Sequence, residues 1–196
     1  MTGMEEEHMG DIVLPLKTER LVLRDFVEDD WGAVHEYGAD PAVVRFMPWG
    51  PNSEAATHEF IERARAAQRE DPRDKFELAV TLANGGRLIG GCGIRISAPS
   101  DGGADMGYCL RRDCWALGYG TEASRAIVRF GFEQLGLHRI VATCDVENAG
   151  SARVLEKTGM RREAHFRADS SIRGEWRDSY LYAILKDEWR ERNADR

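Results

Sequence analysis

"RRDCWALGYGTEASRAIVRFGFEQLGL", residues 111–137, places two glycines around a tyrosine directly ahead of a run with helical spacing. Ala123, Ala126, Ile127 and Phe130 share one face of that run, which predicts a helix over 121–135 with a core-facing stripe. Gly118 and Gly120 then lie at its N-terminus, and two readings are open. The pair can make a tight turn ahead of a helix capped by Thr121. Alternatively, bare backbone N–H groups at the positive end of a helix dipole suit a phosphate.

Working outward, apolar spacing divides the chain into strands and helices. Upstream, Glu19–Phe26 alternates as a strand, and Asp29–Tyr37 reads as a short helix opened by acids. Asn52 or Ser53 can cap a second helix, whose Phe60, Ile61, Ala64 and Ala67 keep helical spacing. Lys75–Leu82, Asn84-Gly85-Gly86 and Arg87–Ile96 predict a hairpin, with Gly90, Gly91 and Gly93 marking a bulge or a close backbone approach. A polar loop over 98–103 leads to a short strand over 104–110, which feeds the quoted stretch.

Downstream, 139–146 alternates as a strand and 148–158 reads as a helix closed by Gly159. Residues 162–169 and 176–185 form an antiparallel pair around Arg173-Gly174, and an edge strand near Tyr180 would allow a homodimer. Without an internal repeat or linker, 13–196 reads as one mixed α/β domain.

Residues 1–12 read as a disordered tail: MTGMEEEHMG is acidic and has no apolar core, so neither a signal peptide nor a membrane segment is expected, and the location is cytoplasmic. The four cysteines, Cys92, Cys109, Cys114 and Cys144, form no C-x-x-C pair and have no histidine at ligand spacing. Buried free thiols in a reducing compartment are expected, and no metal. A net charge of −7 argues against a nucleic-acid partner.

Which phosphate ligand? Gly118-x-Gly120-x-x-Ala123 fits the dinucleotide fingerprint literally, with Asp145 as a ribose-binding acid. Yet seven residues separate Leu110 from Gly118, where that fold runs its strand almost straight into the first glycine. Asp145 also follows Gly118 by 27 residues, against about 20 in the fingerprint. A Walker loop fits worse, because no lysine follows the glycines. These mismatches disfavour a nicotinamide-dependent oxidoreductase.

Three runs in order, "DMGYCLRRDCWALGYGTEA" (105–123), "ENAGSARVLEKTGM" (147–160) and "RGEWRDSYLYAIL" (173–185), resemble the GNAT superfamily of acetyl-CoA-dependent N-acetyltransferases. More narrowly they are similar to the branch that acetylates ribosomal-protein N-termini. The resemblance implies a bent mixed sheet flanked by helices, whose central strands, here 104–110 and 139–146, splay apart to take the pantetheine arm of acetyl-CoA. It implies a pyrophosphate loop at Trp115-Ala116-Leu117-Gly118-Tyr119-Gly120, continued by Thr121, with Leu110, Arg112 and Asn148 also against the cosubstrate. Ala116 and Leu117 stand where the family carries a small residue and often a lysine, so Arg111 or Arg112 is the substitute phosphate contact or is simply solvated.

The implied activity is transfer of acetyl to a primary amine, of a protein N-terminus or a small molecule, by direct attack in a ternary complex. A non-catalytic acyl-CoA-binding module is the alternative. Acetyl transfer needs a neutral amine, an oxyanion donor and a proton for the departing thiolate. A backbone N–H over 108–110 is the implied oxyanion donor. Asp105 matches the place of a glutamate base in this branch, one methylene shorter, and Ser151 of Asn148-x-x-Ser151 the hydroxyl that meets the thiolate. Either Asn148 or Ser151 can equally be a helix cap. Tyr108, Tyr180 and Tyr182 are alternative acids by type, and His138 and His165 alternative bases. Trp31, Trp49 and Trp176 are candidates to border the acceptor pocket, which the stretch 45–52 (RFMPWGPN) is able to cover.

Overall fold

The computed structural model describes residues 12–97 and 102–194. Most of the tail and loop residues 98–101 lie outside it. Eight strands form one sheet in the order β1-β2-β3-β4-β5-β6-β8-β7. They are β1 (Leu16–Lys17), β2 (Leu21–Asp25), β3 (Lys75–Leu82), β4 (Leu88–Ile96), β5 (Gly103–Leu110), β6 (Arg139–Asp145), β7 (Arg161–Ile172) and β8 (Glu175–Leu185). The helices are α1 (Trp31–Gly38), α2 (Glu54–Ala67), α3 (Tyr119–Glu133), α4 (Ala149–Thr158) and α5 (Lys186–Ala194).

Alternation along the strands fills two cores. Leu21, Leu23, Phe76, Leu78, Ile94 and Met106 turn to the face covered by α3 and α4, whose own Ala123, Ile127, Phe130 and Leu155 complete that core. On the opposite face, Ala79 meets Phe26, Val34, Tyr37 and Ile61 beneath α1 and α2. Several sequence expectations take their final form here. Ser53, not Asn52, caps α2, its side chain accepting from the Ala56 N–H at 3.2 Å. The glycines of β4 do coincide with an irregularity, a register shift at Val80/Thr81. β8 lies between β6 and β7, so Tyr180 is not on an edge; the edge strand is β7.

Helix α5 had no signal in the sequence. Its residues, KDEWRERNA, are polar almost throughout; Trp189 is its apolar contact, 5.5 Å from the ring of Phe132, while Arg192 donates to the Gly159 carbonyl and Glu188 pairs with Arg161 at 3.0 Å. No described helix is long and apolar enough to cross a membrane.

One feature of the ladder organises the site. All neighbouring strands are antiparallel except β5 and β6, which pair in parallel over Gly103–Asp105 and Arg139–Val141 only. β5 nevertheless stays on β4 as far as Leu110, and β6 on β8 as far as Asp145. Between 106–110 and 142–145 the sheet therefore opens. The Gly103 carbonyl accepts from the Ser97 N–H and the Arg111 N–H donates to the Ile89 carbonyl, both at 2.9 Å, so odd positions of β5 serve β4. By the two-residue period the Met106 N–H closes the last rung on Val141, and Tyr108 and Leu110 turn their main-chain groups into the gap.

The β7–β8 hairpin bridges the mouth of this gap. Arg173 at its tip donates to the carbonyls of Val44 (2.8 Å), Arg45 (3.2 Å) and Gly50 (3.2 Å). Arg177 grips the opposite rim through Asp145 (2.8 Å) and Glu147 (2.7 Å). Arg173→Ala should free the 44–50 segment, and losing roughly 1.4 kcal/mol of local stability would raise its opening about tenfold. Trypsin cleavage after Arg45 measures this directly, and an unchanged rate would show that the clamp holds nothing.

Burial pushes the thiols of Cys92 and Cys109 up to about 12 and that of Cys144 to about 11, the last against a hydrogen bond from Ser151. The folded state thus keeps these protons to higher pH than the unfolded chain, whose thiols ionise near 9. Their contribution to stability is complete below about pH 9 and is lost as the pH rises from there towards 12. Urea midpoints should fall across that window; a midpoint constant to about pH 11 would contradict the burial of these thiols.

Candidate active site

α3 starts on Gly118, whose left-handed backbone (φ 85°, ψ −6°) turns the chain from the 3-10 turn Arg112–Cys114 into the helix. A side chain there is strained, and a Cβ would also approach Arg20 Nη2 to 3.2 Å. No side chain caps this end. The Glu122 N–H reaches the Gly118 carbonyl at 3.1 Å, while the earlier N–H groups of the first turn point out along the helix axis. Thr121 is inside the helix and is not its cap.

Gly120 is helical and buried, and a Cβ would meet Tyr108 (3.4 Å) and Val154 (3.5 Å). These are ordinary van der Waals distances, so packing does not demand glycine at 120; the positive φ that needs glycine belongs to Gly118.

Among the arginines considered beside this turn, Arg112 is exposed and faces Asp40 at 3.6 Å, while Arg111 is held by Glu36 and Asp113. A residue the sequence did not point to is closer. Arg20 donates to the Leu117 carbonyl at 3.0 Å, lies 4.6 Å from the centre of the Tyr119 ring and pairs with Glu122 at 2.7 Å. No local signal marks it, because β1 and β2 deliver it from almost a hundred residues away. Burial works against ionisation of Glu122, but bonds from Thr18 and from the Arg20 main chain and guanidinium hold its carboxyl below the ordinary range. Trp115 closes the strand end by donating its indole N–H to the Leu110 carbonyl at 2.8 Å, which leaves the Leu110 N–H as the group facing the gap.

On the α4 side, Asn148 is the cap, its side chain accepting from the Ser151 N–H at 3.0 Å. That settles the choice of cap and frees the Ser151 hydroxyl, which accepts from the Tyr108 phenol at 3.2 Å. Burial pushes Tyr108 up to about 12, the bond to Ser151 pulling the other way. The other tyrosines are elsewhere: Tyr182 is buried and donates to Glu156 at 3.1 Å, and Tyr180 packs under Arg162 and beside His165. His165 pairs with Asp178 at 2.8 Å on the outer hairpin, and neither it nor His138 lines the cleft.

The gap opens into a cleft of about 900 Å³ that also runs over the opposite face of β4 and β5. Asp105 lines this second half and bonds Arg95 at 3.1 Å. Phe46, Met47, Trp49 and Pro51 of the 45–52 stretch form its wall, as its composition implied. Trp31 instead stacks on His58 at 4.5 Å and Trp176 is 70% exposed, both outside the cleft. Asp145, the ribose-binding acid of the disfavoured dinucleotide reading, is committed to Arg177 and to the Glu147 N–H at 2.8 Å. Among the described residues no group of His, Cys, Asp and Glu is placed to hold a metal ion.

An uncapped helix end beside a left-handed glycine, next to an open strand edge carrying free N–H groups, fits a long ligand with a phosphate at one end and an amide-bearing arm. Comparison with known proteins agrees. The model of the Acetyltransferase (GNAT) domain matches residues 20–161. An uncharacterized N-acetyltransferase of Bacillus subtilis, YnaD, is 36% identical over 174 residues, covering 89% of this chain and 98% of its own. The putative ribosomal N-acetyltransferase YdaF of the same organism is 31% identical over 44% of this chain and 47% of its own. Among solved structures, a GNAT-family acetyltransferase from Bacillus anthracis superposes with a TM-score of 0.79 at 34% identity, covering 89% of this chain and 99% of its own. Mycobacterium smegmatis RimJ in complex with CoA-disulfide shares the fold at a TM-score of 0.76 and 23% identity, over 86% of this chain and 83% of its own. The chain belongs to the GNAT acetyltransferase family and is an acetyl-CoA-dependent acetyltransferase.

Proposed function

We propose that this enzyme transfers acetyl from acetyl-CoA to a primary amine by direct attack while both substrates are bound. The observation that carries the reading is the opening between β5 and β6, where the N–H groups of Tyr108 and Leu110 face a cleft with the Tyr108–Ser151 pair on one side and Asp105 on the other. The α3 N-terminus and Gly118 hold the pyrophosphate, with Arg20 supplying the nearby positive charge. Leu110, Trp115, Leu117, Tyr119 and Thr121 shape this end, and Asn148 orders the turn beside the arm. Arg112 is left as a solvated cation at the rim.

The amine nitrogen attacks the thioester carbonyl carbon, and a β5 N–H stabilises the oxygen as it becomes negative. The C–N bond forms, the C–S bond breaks, and the thiolate takes its proton from the Tyr108 phenol, which Ser151 orients. Asp105 receives the proton lost by the amine, directly or through water. Because Tyr108 keeps its proton up to about pH 12, the donor is intact throughout any ordinary assay. The acceptor is a protein N-terminus or a small-molecule amine, a choice to which the YdaF relative lends the former some weight. The four cysteines without disulfides agree with a cytoplasmic setting.

Release of CoA thiol from acetyl-CoA across an amine panel tests the reading; a protein that binds acetyl-CoA but turns over no amine is the non-catalytic module instead. Asp105→Asn should lower turnover about 10²- to 10⁴-fold with acetyl-CoA affinity nearly unchanged. Wild-type turnover in this variant would remove Asp105 as base.

Ser151 and Tyr108 separate in a second comparison. Asn148 already caps α4, so Ser151→Ala should change stability by less than about 0.5 kcal/mol while lowering turnover. Tyr108→Phe should lower it more, by about 10²-fold, since it removes the proton itself. An active Tyr108→Phe enzyme would assign the donor to Ser151.

A further inference from the structure

The half of the cleft away from the gap has a floor without side chains. Register aligns Glu77 of β3 with Gly93 of β4, and Gly93 with Gly107 of β5. A Cβ on Gly93 would come within 2.8 Å of the Phe76 carbonyl oxygen, whereas above Gly107 nothing lies within 4 Å. The bare patch is bounded by Glu77 on its far side, by Asp105 two residues back along β5, and by the β5–β6 gap. Its fourth side is Tyr37 of α1. A Cβ on Gly91, which pairs with Cys109 two residues beyond Gly107, would stand 3.6 Å from the Tyr37 hydroxyl.

Tyr37 is 4% exposed and its ring belongs to the core beneath α1 and α2. Its hydroxyl lines the cleft, yet among the described residues none hydrogen-bonds to it. The ring is buried but the hydroxyl oxygen is reached from the cleft, so the phenol presents one polar group to whatever occupies that space, and phenylalanine would fill the same core without it. Burial, reinforced by Cys109 and Glu77 nearby, drives the phenol far above its ordinary range, so it stays a neutral donor and acceptor.

The charges around the patch are balanced. Lys75 pairs with Glu77 at 2.8 Å and Arg95 with Asp105 at 3.1 Å. A polycation would find no surplus of negative charge here, whereas a single amine needs only one carboxylate to take its proton.

We propose that the Tyr37 hydroxyl is a specificity-determining contact to the acceptor, hydrogen-bonded to a polar group beside the reactive nitrogen of a monoamine seated over Gly93 and Gly107. This rests on the acetyl-transfer reading above and names the kind of amine that reading leaves open. An N-terminal residue of a peptide, with a carbonyl next to its amine, meets the description; a polyamine does not.

Tyr37→Phe tests it with two readouts. The first is the thermal unfolding midpoint, expected to be nearly unchanged because the hydroxyl faces the cleft and bonds no described residue; a clear fall would make the hydroxyl structural and overturn the proposal. The second is acetylation of an alanine-terminated peptide, glycinamide, butylamine and spermidine. Wild type should prefer the two carbonyl-bearing monoamines. The variant should raise KM for those two on the order of tenfold, the loss of one neutral hydrogen bond, with kcat and acetyl-CoA affinity nearly constant. Its KM for butylamine should not move. A variant that keeps the wild-type preference overturns the Tyr37 contact alone. Preference for spermidine in the wild type overturns the monoamine class, and no acetylation of any probe by an acetyl-CoA-binding wild type removes the acetyl-transfer reading as well.

Discussion

The parallel ladder between β5 and β6 stops at Asp105 and Val141, and the architecture of the site follows from that early stop. Main-chain groups left open in a sheet interior are costly unless something else bonds them. The antiparallel partners β4 and β8 hold each strand straight past the stop, so the edges cannot close on one another. Topology then decides what faces the opening. A helix that crosses between parallel strands begins at the carboxyl end of the first, so α3 must present its N-terminus at the end of β5. By the same logic α4 begins at the end of β6. Two helix dipoles therefore converge on one mouth, but they are finished differently. Asn148 seals α4 with its side chain, while α3 has a glycine and no cap. Only the α3 end is left with donors to offer an anion.

What was readable in the sequence divides along the range of the forces involved. α3 was legible because its stripe is local and strongly periodic, and Gly159 marked the end of α4 because a left-handed residue there needs no Cβ. The gap was legible only through family resemblance, since nothing in 104–110 or 139–146 records where pairing ends. Asn148 and Ser151 are both good caps by type, and only the backbone decides which side chain turns inward. Arg20, Tyr37 and Arg173 gave no sign, because each acts on residues far away in the chain. α5 was invisible for the opposite reason: its polar sequence has no stripe, and it is held by one tryptophan together with polar contacts of Glu188 and Arg192 to distant residues.

The halves of the cleft are built from different material, and this bears on how the enzyme is specified. The half assigned to acetyl-CoA consists largely of main-chain donors, a glycine and a helix end, positions whose chemistry does not depend on side-chain identity. The acceptor half is made of side chains from α1, α2, β3 and the 45–52 stretch. Substitutions there change the pocket without disturbing the ladder beneath, apart from Gly93, where the Phe76 carbonyl leaves no room for a Cβ.

The independence of the halves has a limit, set by the β7–β8 hairpin. Arg173 fixes the acceptor wall through three carbonyls, and Arg177 fixes the β6–α4 turn through Asp145 and Glu147. Arg45, within the acceptor wall, approaches the same Glu147 at 3.5 Å. Arg45 and Glu147 are exposed and their pair contributes little alone, whereas Arg177 and Asp145 are largely buried; the two arginines meet on the Glu147 carboxylate. A continuous chain of contacts thereby connects the acceptor wall to the turn that carries Asn148 and, three residues on, the Ser151 hydroxyl. Since that hydroxyl orients Tyr108, the position of the proposed proton donor depends on contacts made at the far rim of the cleft. A substitution that loosens the wall will for this reason reach beyond acceptor affinity to the geometry of the leaving thiolate, although it touches neither substrate's reacting atom.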